Sequence, residues 1–166
     1  MIRTERLVGA PLDERDFDDL CTLHRDERVV AAFHTTPLTA TETREFLDEK
    51  LAHWSEHGFG IWVFREADGS FAGRCGLHHR VLEGEDEIDF GYIVSPERWS
   101  QGYATEMGRA VVDQAFGALG FAGLIGTTWH DNVASQRVLE KLGFVRERPI
   151  DAGLGVLYRL RAPDRP

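Results

Sequence analysis

Alternation of apolar and polar residues across 87–94, EIDFGYIV, predicts a strand. Ile88, Phe90, Tyr92 and Val94 share one face, and Glu87, Asp89, Gly91 and Ile93 share the other. Pro96 closes it, because proline lacks an N–H and biases the preceding residue away from helix. From Ala104 the period lengthens: Gly108, Val111, Val112, Ala115 and Leu119 recur at helical spacing, as the buried stripe of a helix would. Upstream, 7–10 closed by Pro11 reads as a first strand, and Phe17, Leu20 and Leu23 mark a helix across 13–24. Val29, Val30 and Phe33 mark a second, short helix. Thr39 and Glu42 fit a capping box, opening a helix whose apolar face is Phe46, Leu47, Leu51 and Trp54 and which stops near Gly58. Asp68-Gly69 joins strands at 60–66 and 71–81 as a hairpin. Beyond Gly120 follow a strand at 124–129, a helix from Asn132 to Gly143, strands at 145–150 and 156–160, and a frayed tail marked by Pro163 and Pro166. This order predicts an α+β fold with a mixed, mostly antiparallel sheet and helices on both faces. Its parallel contact should join 87–94 to 124–129, because a helix connects them.

Composition narrows the possibilities. A chain of 166 residues with 42% hydrophobic content suits one domain, 1–166, with one core. A formal charge of −9 and a pI near 5.2 argue against nucleic acid as partner and favour a cationic one. The acidic run Glu83, Glu85, Asp86, Glu87, Asp89 reads either as a solvated hairpin or as a substrate-facing patch. No apolar stretch approaches the roughly 20 residues that span a bilayer, so a cytoplasmic protein with no membrane partner is expected. Cys21 and Cys75 lack CxxC partners, and HWSEH, with His53 and His57, lacks the HExxH glutamate placement. No metal is expected, and the histidines read as a surface pair.

Chemistry concentrates at the strand-to-helix junction. A glycine at a helix mouth lets backbone approach a ligand, and the first helical N–H groups have no partner within the helix. Gln101, Gly102, Tyr103, Ala104 and Thr105 can thus direct amides at a pyrophosphate, with Arg98 as the nearby side-chain cation. The loop alone is better read as an ordinary strand-to-helix turn, with glycine for tightness. However, 99–106, WSQGYATE, resembles the acyl-coenzyme A loop of the GNAT acetyltransferases, Gln/Arg-x-x-Gly-x-Gly/Ala. Gly102 and Ala104 match, and Trp99 takes the first place, as in the ribosomal-protein N-terminal acetyltransferase (RimJ/RimL-like) branch. Ser100 stands where that branch usually has glycine. Residues 132–144, NVASQRVLEKLGF, resemble the family's second coenzyme-contacting segment, Asn-x-x-Ser before a helix ending Leu-Gly-Phe.

The resemblance covers most of the chain and implies a GNAT-like fold whose parallel strand pair splays apart. It implies acetyl-coenzyme A as co-substrate, its pantetheine arm pairing with backbone near Ile93 and Val94, with Asn132 bonded to that arm and Ser135 near the sulfur. Early helices would shape the acceptor pocket, with Phe33, His34 and Trp54 as pocket residues. The implied reaction is direct attack of a primary amine, on a protein N-terminus or a small molecule, with the Val94 N–H meeting the developing oxyanion. An ammonium must first lose its proton, which points to Asp89 acting through water, with Glu87 as alternate base. Many relatives carry an acidic tyrosine where this chain has Leu139. Alternatives are a coenzyme A-binding regulatory domain without turnover, or transfer of another acyl group such as succinyl. A homodimer would suit the family.

Overall fold

The computed structural model describes residues 1–163, so the tail expected at Pro166 lies outside the described residues. The chain opens with β1 (Ile2–Arg3) and β2 (Leu7–Pro11), then α1 (Phe17–Arg25), α2 (Glu27–Phe33) and α3 (Ala40–His57). The hairpin ladder β3 (Ile61–Glu66), β4 (Phe71–Leu82) and β5 (Glu85–Val94) leads into α4 (Tyr103–Phe116). β6 (Gly123–Trp129), α5 (Val133–Lys141), β7 (Val145–Ile150) and β8 (Gly155–Arg161) complete it. One 8-stranded sheet runs β1-β2-β3-β4-β5-β6-β8-β7, antiparallel throughout except where β5 meets β6.

Local chemistry sets these boundaries. The Thr39 hydroxyl accepts the Glu42 N–H while the Glu42 carboxylate accepts the Thr39 N–H at 2.7 Å, closing the capping box of α3. Gly58 ends that helix in the left-handed region at φ 72°. The β4–β5 turn puts Glu83 and Gly84 at φ 54° and 87°, the sense of twist a two-residue hairpin requires.

β3 is covered on both faces. Trp62 and Phe64 join the large core with β4, β5, α4 and α5, whereas Ile61 and Val63 join Leu12, Leu20 and Leu47 beneath α1 and α3. Helices therefore lie on both faces of the sheet, as expected.

The seam between β5 and β6 positions everything that follows. Only Asp89 and Ile125 pair across it. Arg80 clamps this point, donating to Asp89 Oδ2 at 3.0 Å and to Thr127 Oγ1 at 3.2 Å. Beyond Asp89 the strands part. Ser95 donates to Ala72, so the alternation of an antiparallel ladder gives β4 the backbone groups of Gly91 and Ile93. Those of Tyr92 and Val94 point across the gap, which corrects the expected role of Ile93: its backbone is already paired.

Three of the five acids in the acidic run are ion-paired within the fold. Glu83 pairs with Arg148 at 2.6 Å, Asp89 pairs with Arg80 at 3.0 Å, and Glu87 takes a fork from Arg159 at 2.7 and 3.0 Å. His53 and His57 do pair, half-buried with ring centroids 4.5 Å apart, and His53 is also tied into the fold: its Nδ1 meets the Phe59 carbonyl at 2.9 Å and its Nε2 accepts from the His79 N–H at 3.1 Å. Both ring nitrogens are thereby engaged.

Candidate active site

Two clefts open on either side of the splay. The first, of about 370 Å³, runs from the α4 N-terminus along α5 and is lined by Val94, Arg98, Trp99, Gly102, Tyr103, Ala104, Thr105 and Asn132, among others. The second, of about 260 Å³, lies beneath α2 and α3 and includes Phe46, Lys50, Arg74, His78, Gly91 and Ile93. Phe33, Tyr92 and Ser135 border both, so the clefts meet where β5 and β6 diverge.

The floor of the first cleft follows from two left-handed residues. Gly102, at φ 83°, starts α4 without a side-chain cap, leaving the first helical amides directed outward. Ser100 holds φ 61°, a conformation that glycine adopts without strain and serine does not. Its backbone explains why related loops place glycine there. Arg6 braces the turn, bonding the Gln101 carbonyl at 3.0 Å and lying 4.1 Å over the Tyr103 ring. The Trp99 indole donates to the Val94 carbonyl at 2.9 Å, leaving the Val94 N–H facing the gap.

The cations of this cleft differ from the expected one. Arg98 is bound to Glu66 at 3.0 and 2.9 Å, and Tyr103 adds its hydroxyl to the same carboxylate. The Arg98, Tyr103 and Ser70 bonds hold Glu66 down at about 2, so Arg98 is charge-paired. Arg137 and Lys141, one turn apart on α5, line the cleft instead and have no carboxylate partner among the described residues. No motif marks them. Only helical periodicity counted from Ala134, once that face is known to border the cleft, would single them out.

Asn132 is anchored. Its Oδ1 accepts the Ser135 N–H at 3.0 Å, capping α5, and its Nδ2 donates to the Ala32 carbonyl at 3.1 Å. One amide hydrogen is left for a ligand. Ser135 accepts the Tyr92 hydroxyl at 3.2 Å, at the junction of the clefts. Burial pushes Tyr92 up to about 12, against the lowering effect of the Ser135 bond, so it keeps its proton. Its place in the strand's apolar alternation conceals this contact, which is made only in three dimensions.

On the acceptor side the expectations separate. Phe33 borders both clefts. His34 stacks on Trp129 at 5.0 Å and meets Asp131 at 3.1 Å, tying α2 to the β6–α5 turn outside the described clefts. Trp54 is a packing residue, donating to the Ile61 carbonyl at 2.8 Å with its ring against Trp62, and it lines none of these clefts. Glu87, engaged by Arg159, lines none either, which removes the geometric case for it as a base.

Asp89 is buried, and burial raises its pKa while Arg80 lowers it, for a net rise. His78, paired opposite it in β4, lies 3.6 Å from Asp89 Oδ2 and faces the acceptor cleft. Burial, helped by Lys50 and His53, pushes His78 down to about 4, so its ring is neutral at physiological pH.

Comparison with known proteins agrees with this arrangement. Residues 6–145 match the model of the acetyltransferase (GNAT) domain. The uncharacterized protein YkkB of Bacillus subtilis is 27% identical over 141 residues, covering 84% of this chain and 82% of its own. An acetyltransferase from Agrobacterium tumefaciens superposes with a TM-score of 0.83 at 26% identity, covering 96% of this chain and 93% of its own. The spermidine N-acetyltransferase of Vibrio cholerae, solved with CoA and spermine, shares the fold with a TM-score of 0.74 at 19% identity, over 93% of each chain. With a family match across most of its length and the splayed pair β5–β6 in place, the chain belongs to the GNAT acetyltransferase domain family.

Proposed function

We propose that residues 1–166 act as one domain that transfers an acetyl group from acetyl-coenzyme A to a primary amine. The observation that carries this reading is the junction of two clefts at Tyr92 and Ser135, one edged by outward helical amides and unpaired cations, the other by polar side chains. The coenzyme, when bound, supplies an activated acetyl thioester open to direct attack.

The chain's own groups then divide the work. The amides from Gly102 to Thr105 and the Thr105 hydroxyl line the first cleft and would hold the pyrophosphate, with Arg137 and Lys141 adding positive charge, whereas Gln101 does not line it. Backbone of Tyr92 and Val94 would pair with the pantetheine arm, and the remaining Asn132 hydrogen would donate to it. The Val94 N–H is placed to donate to an oxygen that gains negative charge. Because Tyr92 donates to Ser135, the Ser135 proton is free to turn toward the departing sulfur. Leu139, 2% exposed, is packing here, and the Tyr92–Ser135 pair occupies the role of the missing tyrosine. On the far side the amine proton leaves through neutral His78 and water toward Asp89, whose burial makes it a better base than an exposed aspartate.

The acid test is release of free coenzyme thiol with a panel of primary amines, alongside calorimetric binding of acetyl-coenzyme A and succinyl-coenzyme A. Amine-dependent thiol release and a several-fold weaker coenzyme affinity in an Arg137→Gln/Lys141→Gln variant are expected. Coenzyme binding without thiol release for any amine would instead establish a regulatory domain.

A further inference from the structure

Every side chain lining the acceptor cleft is apolar, neutral-polar or basic: no carboxylate borders it, although the chain carries a net charge of −9. Lys50 and Arg74 enter it from α3 and β4, and His78 is neutral there. The two cations differ in one respect. Lys50 is paired with Glu49 at 2.7 Å. Arg74 makes no hydrogen bond or ion pair among the described residues, its guanidinium lies 4.9 Å from the Phe46 ring, and its Nε is shut off from solvent without a partner. Other half-buried arginines, such as Arg65, Arg80, Arg98 and Arg159, each hold one or more carboxylates. An Nε–H removed from water and left unbonded is unfavourable unless a ligand supplies the acceptor.

Space for such a ligand is built into the sheet. Gly91 lies opposite Gly76 in the β4–β5 ladder, and whereas backbone of Gly60 and Ile61 fills the place of a Gly76 Cβ at 2.5 Å, the floor over Gly91 is open. A Cβ on Gly91 would meet nothing within 4 Å. Arg74, Gly76 and His78 alternate onto one face of β4, and that cleft ends at Tyr92 and Ser135, where acetyl transfer would occur.

We propose that the acceptor is a small amine bearing an oxyanion, carboxylate or phosphate, and that Arg74 holds the oxyanion while the amine points to the Tyr92–Ser135 junction. This rests on the acetyltransferase reading above. Bidentate recognition of a planar or tetrahedral oxyanion is the geometry a guanidinium fulfils and a lysine does not. The cleft has the opposite charge preference from one suited to polyamines. Burial brings the Arg74 pKa down to about 10, which leaves it charged at neutral pH.

Matched acceptors test the proposal: alanine and other amino acids, their amides, aminoalkyl phosphates, the decarboxylated alkylamines, and spermidine. With thiol release as readout, the oxyanion-bearing members should exceed their neutral counterparts in kcat/KM by on the order of 10- to 100-fold, the value of a charge-assisted hydrogen bond pair. Carboxylate and phosphate arms identify which oxyanion is used. Arg74→Gln should abolish that preference by raising KM for the oxyanion-bearing acceptors far more than for their neutral counterparts, and Arg74→Lys should restore part of it. Added to the coenzyme A complex, N-acetyl-alanine should raise the Tm further in the wild type and not in Arg74→Gln, a readout independent of turnover. Faster acetylation of neutral amines or spermidine, with Arg74→Gln affecting all acceptors equally, would overturn the oxyanion assignment and leave acetyl transfer standing. Absence of thiol release with every amine would refute the acetyltransferase reading, and with it no protection by N-acetyl-alanine would refute this one.

Discussion

His24 gives the protein a predictable acid sensitivity. It lies in α1, 7% exposed, with Nδ1 3.3 Å from Thr43 Oγ1 and its ring edge-on to Phe46 at 4.9 Å. Burial, then the charge of nearby Arg74, pushes it down to about 4 from an ordinary 6.5. The folded chain therefore keeps this ring neutral while the unfolded chain takes up a proton as the pH falls through 6.5. Stability that is complete above pH 6.5 is lost at about 1.4 kcal/mol per pH unit until the folded state protonates near 4, in total about 3 kcal/mol. Urea unfolding of the wild type and His24→Gln at about pH 7, 5.5 and 4.5 isolates this share, because carboxylate effects common to both cancel. His24→Gln starts less stable at neutral pH. Its further loss down to about pH 4.5 should be smaller than the wild type's by about 2 to 3 kcal/mol. Parallel stability curves for the two proteins would refute the burial argument.

Two catalytic predictions complete the set. Gly91→Val places a side chain where a Cβ meets nothing within 4 Å, so the fold should survive while acceptor KM rises at least several-fold and acetyl-coenzyme A affinity stays unchanged; calorimetry and initial rates check it, and an unaltered acceptor KM would remove Gly91 from the pocket floor. Asp89→Asn removes the charge from the buried proton acceptor, so the rate should fall about 10- to 100-fold at neutral pH and recover partly at high pH, where free amine is plentiful. A full pH–rate profile decides it: a rise in acceptor KM alone would make Asp89 a binding residue.

The elements that the sequence discloses are those set by neighbours along the chain. Thr39 and Glu42 cap each other across three positions, Gly69 takes φ 88° between β3 and β4, and the 87–94 alternation survives as β5. β1, a pair of residues held against Gly9 and Val8, is too short to show a period. The site divides along the same line. Gly102, Ala104 and Thr105 sit within one loop and are read from it, whereas charge partners arrive from distant segments. Arg98 is claimed by Glu66 and Glu87 by Arg159, 32 and 72 positions away, and only the folded chain shows it. Arg74 is the converse case: its significance is the partner it lacks, which no motif can express.

The gap beyond the Asp89–Ile125 bridge has a consequence for solubility. Strands that part leave Tyr92 and Val94 with backbone groups unpaired by a neighbouring strand, which is an edge placed in the middle of a sheet. Open edges template addition of strands from other chains, and proteins ordinarily blunt them with charge, bulges or a covering segment. Here the covering segment would be the coenzyme arm itself. The Trp99 indole already covers the Val94 carbonyl, and the co-substrate would serve as protection for the rest of this edge as well as acyl donor.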